Sequence, residues 1–495
     1  MKFFKNPILT VGMVAMLFAG CKKDLLDINT DPNNPTISSA TTALVLPNAL
    51  NTTAAIMNNP TADSRFAFAG IWMGHISYSG NYAIPTENVS YNITNTFAQA
   101  AFGNLYDNIN DYDFVEQRGR ADGNIFYEAI GKLMKAYNFQ TLVDLYGNIP
   151  YSEALQGTAN TRPKYDDAKT IYEDLGRKID SASILFERAA VNNQTIPASA
   201  DIMFGGDAAN WQKFANTVKL RLLLRQSERP DRASYITAQL AQFDANTQFL
   251  NVDAAVDPGY VNSAGKTNPF WGSNINAAGT YTQDFYRAGQ YAIDFFEKNN
   301  DPRLGAFFEP VGGSGTNFAG NFFGEQGLTN SQTSEFGPGI LKSYDQPAII
   351  MLAAESYFLQ AEAIVRGWIV GDAKTAYQNG VETSFSYLGL TIDQAQAYYN
   401  QPGNKQTTWD ATAGSTSEKI ALIIRQKWAA LTLINELEPY NDYRRLRLPA
   451  DVPLSRSPFS TGIIPNRILY PQREFEVNAT NVPTAASNDK IFWMP

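Results

Sequence analysis

The sequence is poor in the two residue types on which most metal and nucleophilic sites depend. Its 495 residues contain one cysteine, Cys21, and one histidine, His75. This composition disfavours zinc sites, Cys–His nucleophiles and Ser–His–Asp triads. Carboxylate chemistry stays open, because the 48 acidic residues cannot be sorted into pairs without coordinates. His75 lies in an aromatic-rich stretch and is interpreted as a packing or ligand-rim residue.

Long apolar runs are also lacking after the first twenty residues. No later segment has eighteen uncharged apolar residues, so the sequence predicts no membrane-spanning helix. Residues 1–20 combine a basic start, an apolar stretch from Pro7 to Phe18 and the small pair Ala19-Gly20, which is typical of a secretory signal. Because Cys21 follows this pair directly, we expect a lipoprotein signal peptide over 1–20 and lipidation at Cys21.

Residues 21–40 are polar, rich in Asp and Asn, and are predicted to form a flexible tether ahead of a single domain over 41–495. The spacing of Asp27, Asn29 and Asp31 resembles the start of a calcium loop, but Pro32 stands where such a loop needs glycine. The presence of a structural calcium therefore stays open, and no cofactor is expected. The net charge of −9 disfavours nucleic acid as a partner.

From residue 41 onward, apolar residues recur three and four apart. This spacing is typical of amphipathic helices, and no series of alternating strands appears, so we expect a mainly α fold. Small and aromatic residues between 361 and 380 favour helix pairs of the tetratricopeptide type. The series are Phe126, Ile130, Leu133 and Tyr137; Trp211, Phe214, Val218 and Leu222; Met351, Ala354, Phe358, Ala361 and Val365; and Ile420, Ile424, Trp428 and Leu431.

Two long segments, roughly 70–95 and 250–345, break the helical pattern and combine aromatic rings with neutral amides. Rings can cover the apolar face of a sugar or peptide side chain, while Asn supplies both donors and acceptors. The alternative is that the rings pack the loops onto the helices. The predicted ligand-binding residues are Trp72, Tyr78, Asn81, Tyr82, Tyr91, Phe270, Trp271, Asn274, Tyr281, Phe318 and Phe323, with Phe322 as a further ring of the second segment.

Two basic motifs do not predict a site. Ala264-Gly265-Lys266-Thr267 imitates the end of a phosphate-binding loop, but Tyr260 stands where the loop needs glycine and Asn268-Pro269 blocks the helix that should follow. Arg444, Arg445 and Arg447 follow a helix that ends in acidic residues. They are interpreted as a local ion-pair cluster.

Several segments, in order along the chain, together resemble the SusD/RagB-type outer-membrane nutrient-binding lipoproteins, in particular the SusD-like branch. No single segment is decisive, but chance agreement in order over most of the chain is improbable. The segments are 26–33 (LDINTDPN), 142–151 (LVDLYGNIPY), 211–221, 301–304 (DPRL), 361–363 (AEA), 426–428 with 443–445, and 465–474.

The resemblance implies a domain of tetratricopeptide-like helix pairs with an irregular, loop-rich half that carries the ligand site. It also implies a cell-surface protein, lipid-anchored in the outer membrane, that is not an enzyme. Such a protein delivers oligosaccharides or peptides to a SusC-type TonB-dependent transporter. The motifs above lie on predicted helices and turns, so the resemblance transfers no ligand contacts.

Two alternatives remain. A surface glycoside hydrolase would need a carboxylate pair about 5–10 Å apart, for which Glu87, Asp284 and Glu325 are the candidates. A periplasmic receptor for an inner-membrane importer would need two α/β lobes, and the sequence shows no βα alternation.

Overall fold

The computed structural model describes residues 40–58, 66–412 and 414–495. The predicted signal peptide, Cys21, the tether and the calcium-like segment lie outside these ranges, apart from residue 40. Within them, no helix combines the length and apolar character that a bilayer crossing requires.

The described chain is mainly helical, as predicted. The helices, numbered here in chain order, are α1 (Thr42–Met57), α2 (Ala67–Trp72), α3 (Thr86–Ser90), α4 (Ala100–Ala121), α5 (Ile125–Tyr146), α6 (Ala168–Val191), α7 (Ala208–Leu224), α8 (Ala233–Leu240), α9 (Pro269–Asn274), α10 (Gln290–Lys298), α11 (Leu304–Phe307), α12 (Ala353–Val365), α13 (Ala373–Tyr387), α14 (Ile392–Tyr399), α15 (Thr416–Ala430), α16 (Leu437–Leu446) and α17 (Gln472–Val477).

The longer helices pack in sequence, as the predicted helix pairs require. Helices α4 to α7 each contact the next, α12 contacts α13 and α15, and α7 joins the two groups by packing on α12. Local sequence fixes where several of them begin: the side chains of Asn124, Asp167 and Asp207 accept hydrogen bonds from the first free N–H groups of α5, α6 and α7. The prediction of tetratricopeptide-like helix pairs is confirmed.

The strands are few and short. They are β1 (Ile76–Tyr78), β2 (Ile149–Pro150), β3 (Tyr165–Asp166), β4 (Ala254–Val256), β5 (Tyr286–Ala288) and β6 (Ala348–Met351). All pair antiparallel, β1 with β5, β2 with β3 and β4 with β6. The β1–β5 pair brings together the two long irregular segments, with Tyr78 opposite Tyr286.

One continuous apolar core runs from Leu46 to Met494 and includes the predicted series of α5 and α7, with Trp428 and Leu431 of the third series; Ile420 and Ile424 are buried outside it. The series beginning at Met351 is partly wrong: Met351 ends β6, α12 begins only at Ala353, and Val365 is half-buried. The irregular segment 250–345 also contains α10, whose nine residues place Ile293 and Phe296 in the core.

A network of buried charged residues connects α5, α7, α12, α15 and α16. Arg225, which directly follows α7, donates to Asp144 at 3.2 Å and to Glu438 at 2.6 Å, and all three side chains are nearly inaccessible to solvent. The interpretation of the arginine motif as a local cluster is therefore incomplete. Arg445 does pair with Asp442 at 2.9 Å, but it also reaches Glu362 of α12.

The Arg445–Glu362 pair predicts that the fold becomes less stable as the pH falls into the acid range. Burial alone would raise the pKa of Glu362, but Arg445 and Arg366 outweigh it and lower the pKa to about 2. A depressed pKa stabilises the fold above the ordinary value of about 4.5, and this stabilisation is lost as the pH falls toward 2. We expect Glu362 to contribute a loss of about 1.5 kcal/mol in the free energy of unfolding between pH 4.5 and 3.

Urea denaturation at pH 7, 4.5 and 3 measures this effect. Glu362→Gln should lose less stability over the acid range than the wild type, because the glutamine does not titrate. The control is Glu297→Gln on the exposed side of α10, which should keep the wild-type acid dependence. Equal dependence in all three proteins would show that Glu362 does not carry the effect.

Candidate ligand-binding site

Three loops meet beside the β1–β5 pair and form a surface that we call the loop face: residues 79–82, 322–332 and 454–463. The amide of Gly80 donates to the carbonyl of Leu328 at 2.8 Å, and the side-chain amide of Gln326 donates to the carbonyl of Gly80 at 2.6 Å. The third loop joins through its backbone, since the amide of Arg456 donates to the carbonyl of Phe323 at 2.9 Å.

Asn321 fixes the first two loops to each other. Its side-chain nitrogen donates to the carbonyls of Tyr78 at 2.8 Å and Leu328 at 2.9 Å, while its oxygen accepts from the Leu328 amide at 2.6 Å. The two chains approach so closely that a Cβ on Gly80 would lie 2.1 Å from the carbonyl oxygen of Gly327. Glycine is therefore required at this contact.

The loop face presents apolar side chains to solvent. Tyr82 is 40% exposed and Phe322 37% exposed, and the Tyr82 ring is held edge-on by Phe285 at 5.6 Å. The other exposed apolar side chains of these loops are Leu328, Leu454, Phe459 and Ile463. An exposed apolar cluster with neutral amides beside it suits a polar, uncharged ligand that has an apolar face.

The charges of the loop face neutralise each other. The Arg456 guanidinium lies 3.5 Å from the centre of the Phe322 ring and 3.2 Å from a Glu325 carboxylate oxygen. Both charged side chains are about half exposed, so the pair holds the second and third loops together without leaving an unmatched charge.

Of the eleven residues predicted to bind ligand, six are buried. Trp72 packs among Phe68, Phe97 and Tyr440, and the Tyr91 ring packs edge-on against both Trp72 and Phe323. These side chains support the loops from inside, which is the packing alternative weighed above. The buried six are Trp72, Tyr78, Tyr91, Phe270, Asn274 and Phe323.

The other five reach solvent, but they do not all lie on one surface. Asn81 and Tyr82 belong to the loop face, where the Asn81 oxygen accepts from the Asn330 amide at 2.8 Å. Trp271 and Tyr281 flank the segment 275–280, and half-buried Phe318 lies 4.0 Å from the position of a Cβ on Gly305. Ligand contact stays a prediction for these residues.

Sequence reasoning missed the third loop altogether. Residues 454–463 combine Ser, Pro and Gly with Leu454, Phe459 and Ile463, but they contain one aromatic residue and no Asn or Gln. The combination of rings and amides that selected the other two segments is therefore missing here. The contacts of Arg456 with Phe323, Phe322 and Glu325 show that this loop belongs to the same surface.

His75 is fully buried under this region. Its Nδ1 contacts the Glu436 carboxylate, and its ring lies 4.5 Å from the Trp428 ring. His75 is therefore a packing residue, which is the first of the two roles, packing or ligand rim, that the sequence indicates.

The carboxylates proposed for a glycoside hydrolase each have another partner. Glu87 accepts from the Thr94 amide at 2.7 Å, Asp284 lies 4.0 Å from Arg287, and Glu325 pairs with Arg456. These contacts lend the hydrolase alternative no support. In the described part of the chain, no group of three or more His, Cys, Asp and Glu side chains is placed to hold a metal ion.

The chain is similar to one protein family and to several solved structures. Residues 32–471 match the SusD-like family described as "Starch-binding associating with outer membrane". No curated protein matches the sequence.

Solved structures share the fold. A SusD-like protein from Bacteroides thetaiotaomicron is 23% identical, with a TM-score of 0.73 over 92% of this chain and 99% of its own. A SusD homologue from Bacteroides fragilis is 22% identical, with a TM-score of 0.72 over 92% and 99%. A chitin-binding SusD homologue from Flavobacterium johnsoniae is 20% identical, with a TM-score of 0.71 over 90% and 98%.

Proposed function

Because the chain belongs to the SusD-like family, whose members associate with the outer membrane, we propose that it is a nutrient-binding lipoprotein of the cell surface. It captures an oligosaccharide or a peptide without chemical conversion and delivers it to a SusC-type TonB-dependent transporter. The lipid on Cys21 holds it to the outer membrane, and residues 21–40 act as the tether.

The loop face is the observation that carries this proposal. Its exposed rings, Tyr82 and Phe322, lie beside the neutral amides of Asn81 and Gln326, and its one charge pair is internally matched. Such a surface suits a ligand bound through ring stacking and hydrogen bonds. The chitin-binding homologue from Flavobacterium johnsoniae makes a glycan the first ligand to test.

Isothermal titration calorimetry of the full chain in detergent tests ligand capture, with chitohexaose, maltohexaose and a casein-derived peptide mixture as the panel. We expect measurable binding to at least one member. Absence of binding to every member, together with absence of a co-purifying barrel in the second experiment, would contradict the proposal.

The second experiment tests the partner and the anchor. Affinity purification from detergent-solubilised outer membranes of the native cells should recover a TonB-dependent barrel. Protease added to intact cells should cleave the wild-type protein, and Cys21→Ala should leave the membrane fraction. Recovery of the protein without a barrel, or full protection from protease, would argue against a surface delivery role.

A further inference from the structure

A cavity of about 820 Å³ lies between α1 and the loop 257–277, and its lining residues are distinct from the loop face. This volume falls within the range of small-molecule sites. Much of its wall is apolar, and the apolar side chains include Ala55, Pro258, Val261, Pro269 and Ile275. A sugar ring or another compact ligand would fit a space of this size.

Hydrogen bonds within the loop define the cavity wall. The amide of Val261 donates to the carbonyl of Lys266 at 2.9 Å, and the Lys266 amide donates back to the Ser263 carbonyl at 2.9 Å. The Tyr260 hydroxyl donates to the side-chain oxygen of Asn51 at 2.7 Å, which ties the loop to α1. The shape is therefore set without a ligand.

Lys266 is the single charged side chain among the residues that line the cavity. The Lys266 side chain is exposed at the mouth of the cavity, and in the described part of the chain no carboxylate oxygen lies within 4.0 Å of its ammonium group. The neutral polar groups of Ser263, Thr267 and Asn276 share the same lining. The cavity thus offers one cation, several hydrogen-bonding groups and an apolar wall.

The motif around Lys266 does not make a phosphate cradle. The side-chain oxygen of Asn268 accepts from the amides of Phe270 and Trp271, so these N–H groups of α9 are already occupied. A phosphate-binding loop would leave such amides free for its ligand. The cation alone, with neutral partners, suits a ligand that carries one negative charge.

We propose that this cavity binds an acidic sugar unit, a sugar ring that carries a carboxylate. The ring lies against the apolar wall, its hydroxyl groups bond to Ser263 and Asn276, and its carboxylate pairs with Lys266. A charge-assisted hydrogen bond of this kind is stronger than a neutral one. The net charge of −9 repels anions in general, so an anion that binds must do so at a local cation.

The test compares two ligands that differ only at the carboxyl groups. Tri-galacturonate and its methyl ester have the same sugar backbone, but the ester lacks the carboxylates. Calorimetry of the full chain in detergent should show tri-galacturonate binding at least tenfold more tightly than the ester. An acetylated triglycine with a free carboxylate forms a third arm and should bind at least tenfold more weakly than tri-galacturonate.

Variants locate the site. Lys266→Gln should weaken tri-galacturonate binding about tenfold, Lys266→Arg should restore it to within about threefold, and Val261→Glu should abolish it by placing a carboxylate at the rim. Lys178→Gln on the exposed side of α6 serves as the charge-matched control and should bind as the wild type does.

The proposal is overturned if tri-galacturonate binds no better than its ester, if Lys266→Gln leaves its affinity unchanged, or if the tripeptide binds better than the sugar acid. Binding at the loop face is measured separately, with the neutral oligosaccharides chitohexaose and maltohexaose and with Tyr82 and Phe322 variants. Failure at this cavity is therefore distinguishable from failure of the proposed function.

Discussion

Replacement of Arg225 by methionine is expected to lower the free energy of unfolding by about 3–5 kcal/mol. Arg225 is buried and donates to both Asp144 and Glu438. Its removal leaves Asp144 without its ion pair and leaves Glu438 with Lys427 at 3.5 Å and Arg221 at 3.9 Å, and an unpaired buried charge costs far more than the pair contributes. Urea denaturation at pH 7 provides the measurement.

The matched control is Arg177→Met in α6. Arg177 is 63% exposed and pairs with Asp174 at 3.1 Å, so the change should stay within about 0.5 kcal/mol. The double variant Arg225→Met/Asp144→Asn should recover part of the loss, because it removes the carboxylate charge that loses its ion pair and keeps an oxygen to accept from Tyr172. A loss below about 1 kcal/mol for Arg225→Met would mean that solvent reaches the network.

Simultaneous replacement of Tyr82 and Phe322 by alanine is expected to weaken ligand binding strongly. Each ring is exposed on the loop face, and replacement of either by alanine should weaken binding of the tighter neutral oligosaccharide, chitohexaose or maltohexaose, about tenfold. If the two rings act independently, Tyr82→Ala/Phe322→Ala should weaken it about 100-fold. Calorimetry at pH 7 measures the affinities.

Phe475→Ala provides the control, because Phe475 is 38% exposed on α17, outside the loop face. It should bind as the wild type does. Thermal unfolding should differ little among the variants, since exposed rings contribute little to the core. Unchanged affinity in the double variant, with an intact fold, would place the neutral ligand elsewhere.

The helical half could be predicted from sequence because its signals are local. Apolar residues three and four apart define α5, α7 and α15, and capping residues such as Asp207 mark where a helix begins. Met351 shows the limit of this approach. An apolar residue next to a helix continues the pattern whether it belongs to that helix or, as here, to a strand that pairs with β4.

The site could be predicted only as segments. Trp72 and Tyr82 both belong to the segment 70–95, among aromatic and Asn residues, yet Trp72, the last residue of α2, is fully buried and Tyr82 is 40% exposed. A large ring stabilises a loop by burial as readily as it binds a ligand, so residue type does not decide between the roles. The buried charge network was similarly hidden, because Arg445 and Glu362 are distant in sequence.

The backbone contact between Gly80 and Gly327 has a consequence for how quickly and how selectively the loop face binds. Loops already joined by hydrogen bonds lose little conformational entropy when a ligand arrives, so more of the contact energy remains as affinity. Association should then be a single step, without a slow phase for loop rearrangement. A change of specificity would come most easily from new side chains at positions such as 82 and 322 on an unchanged backbone.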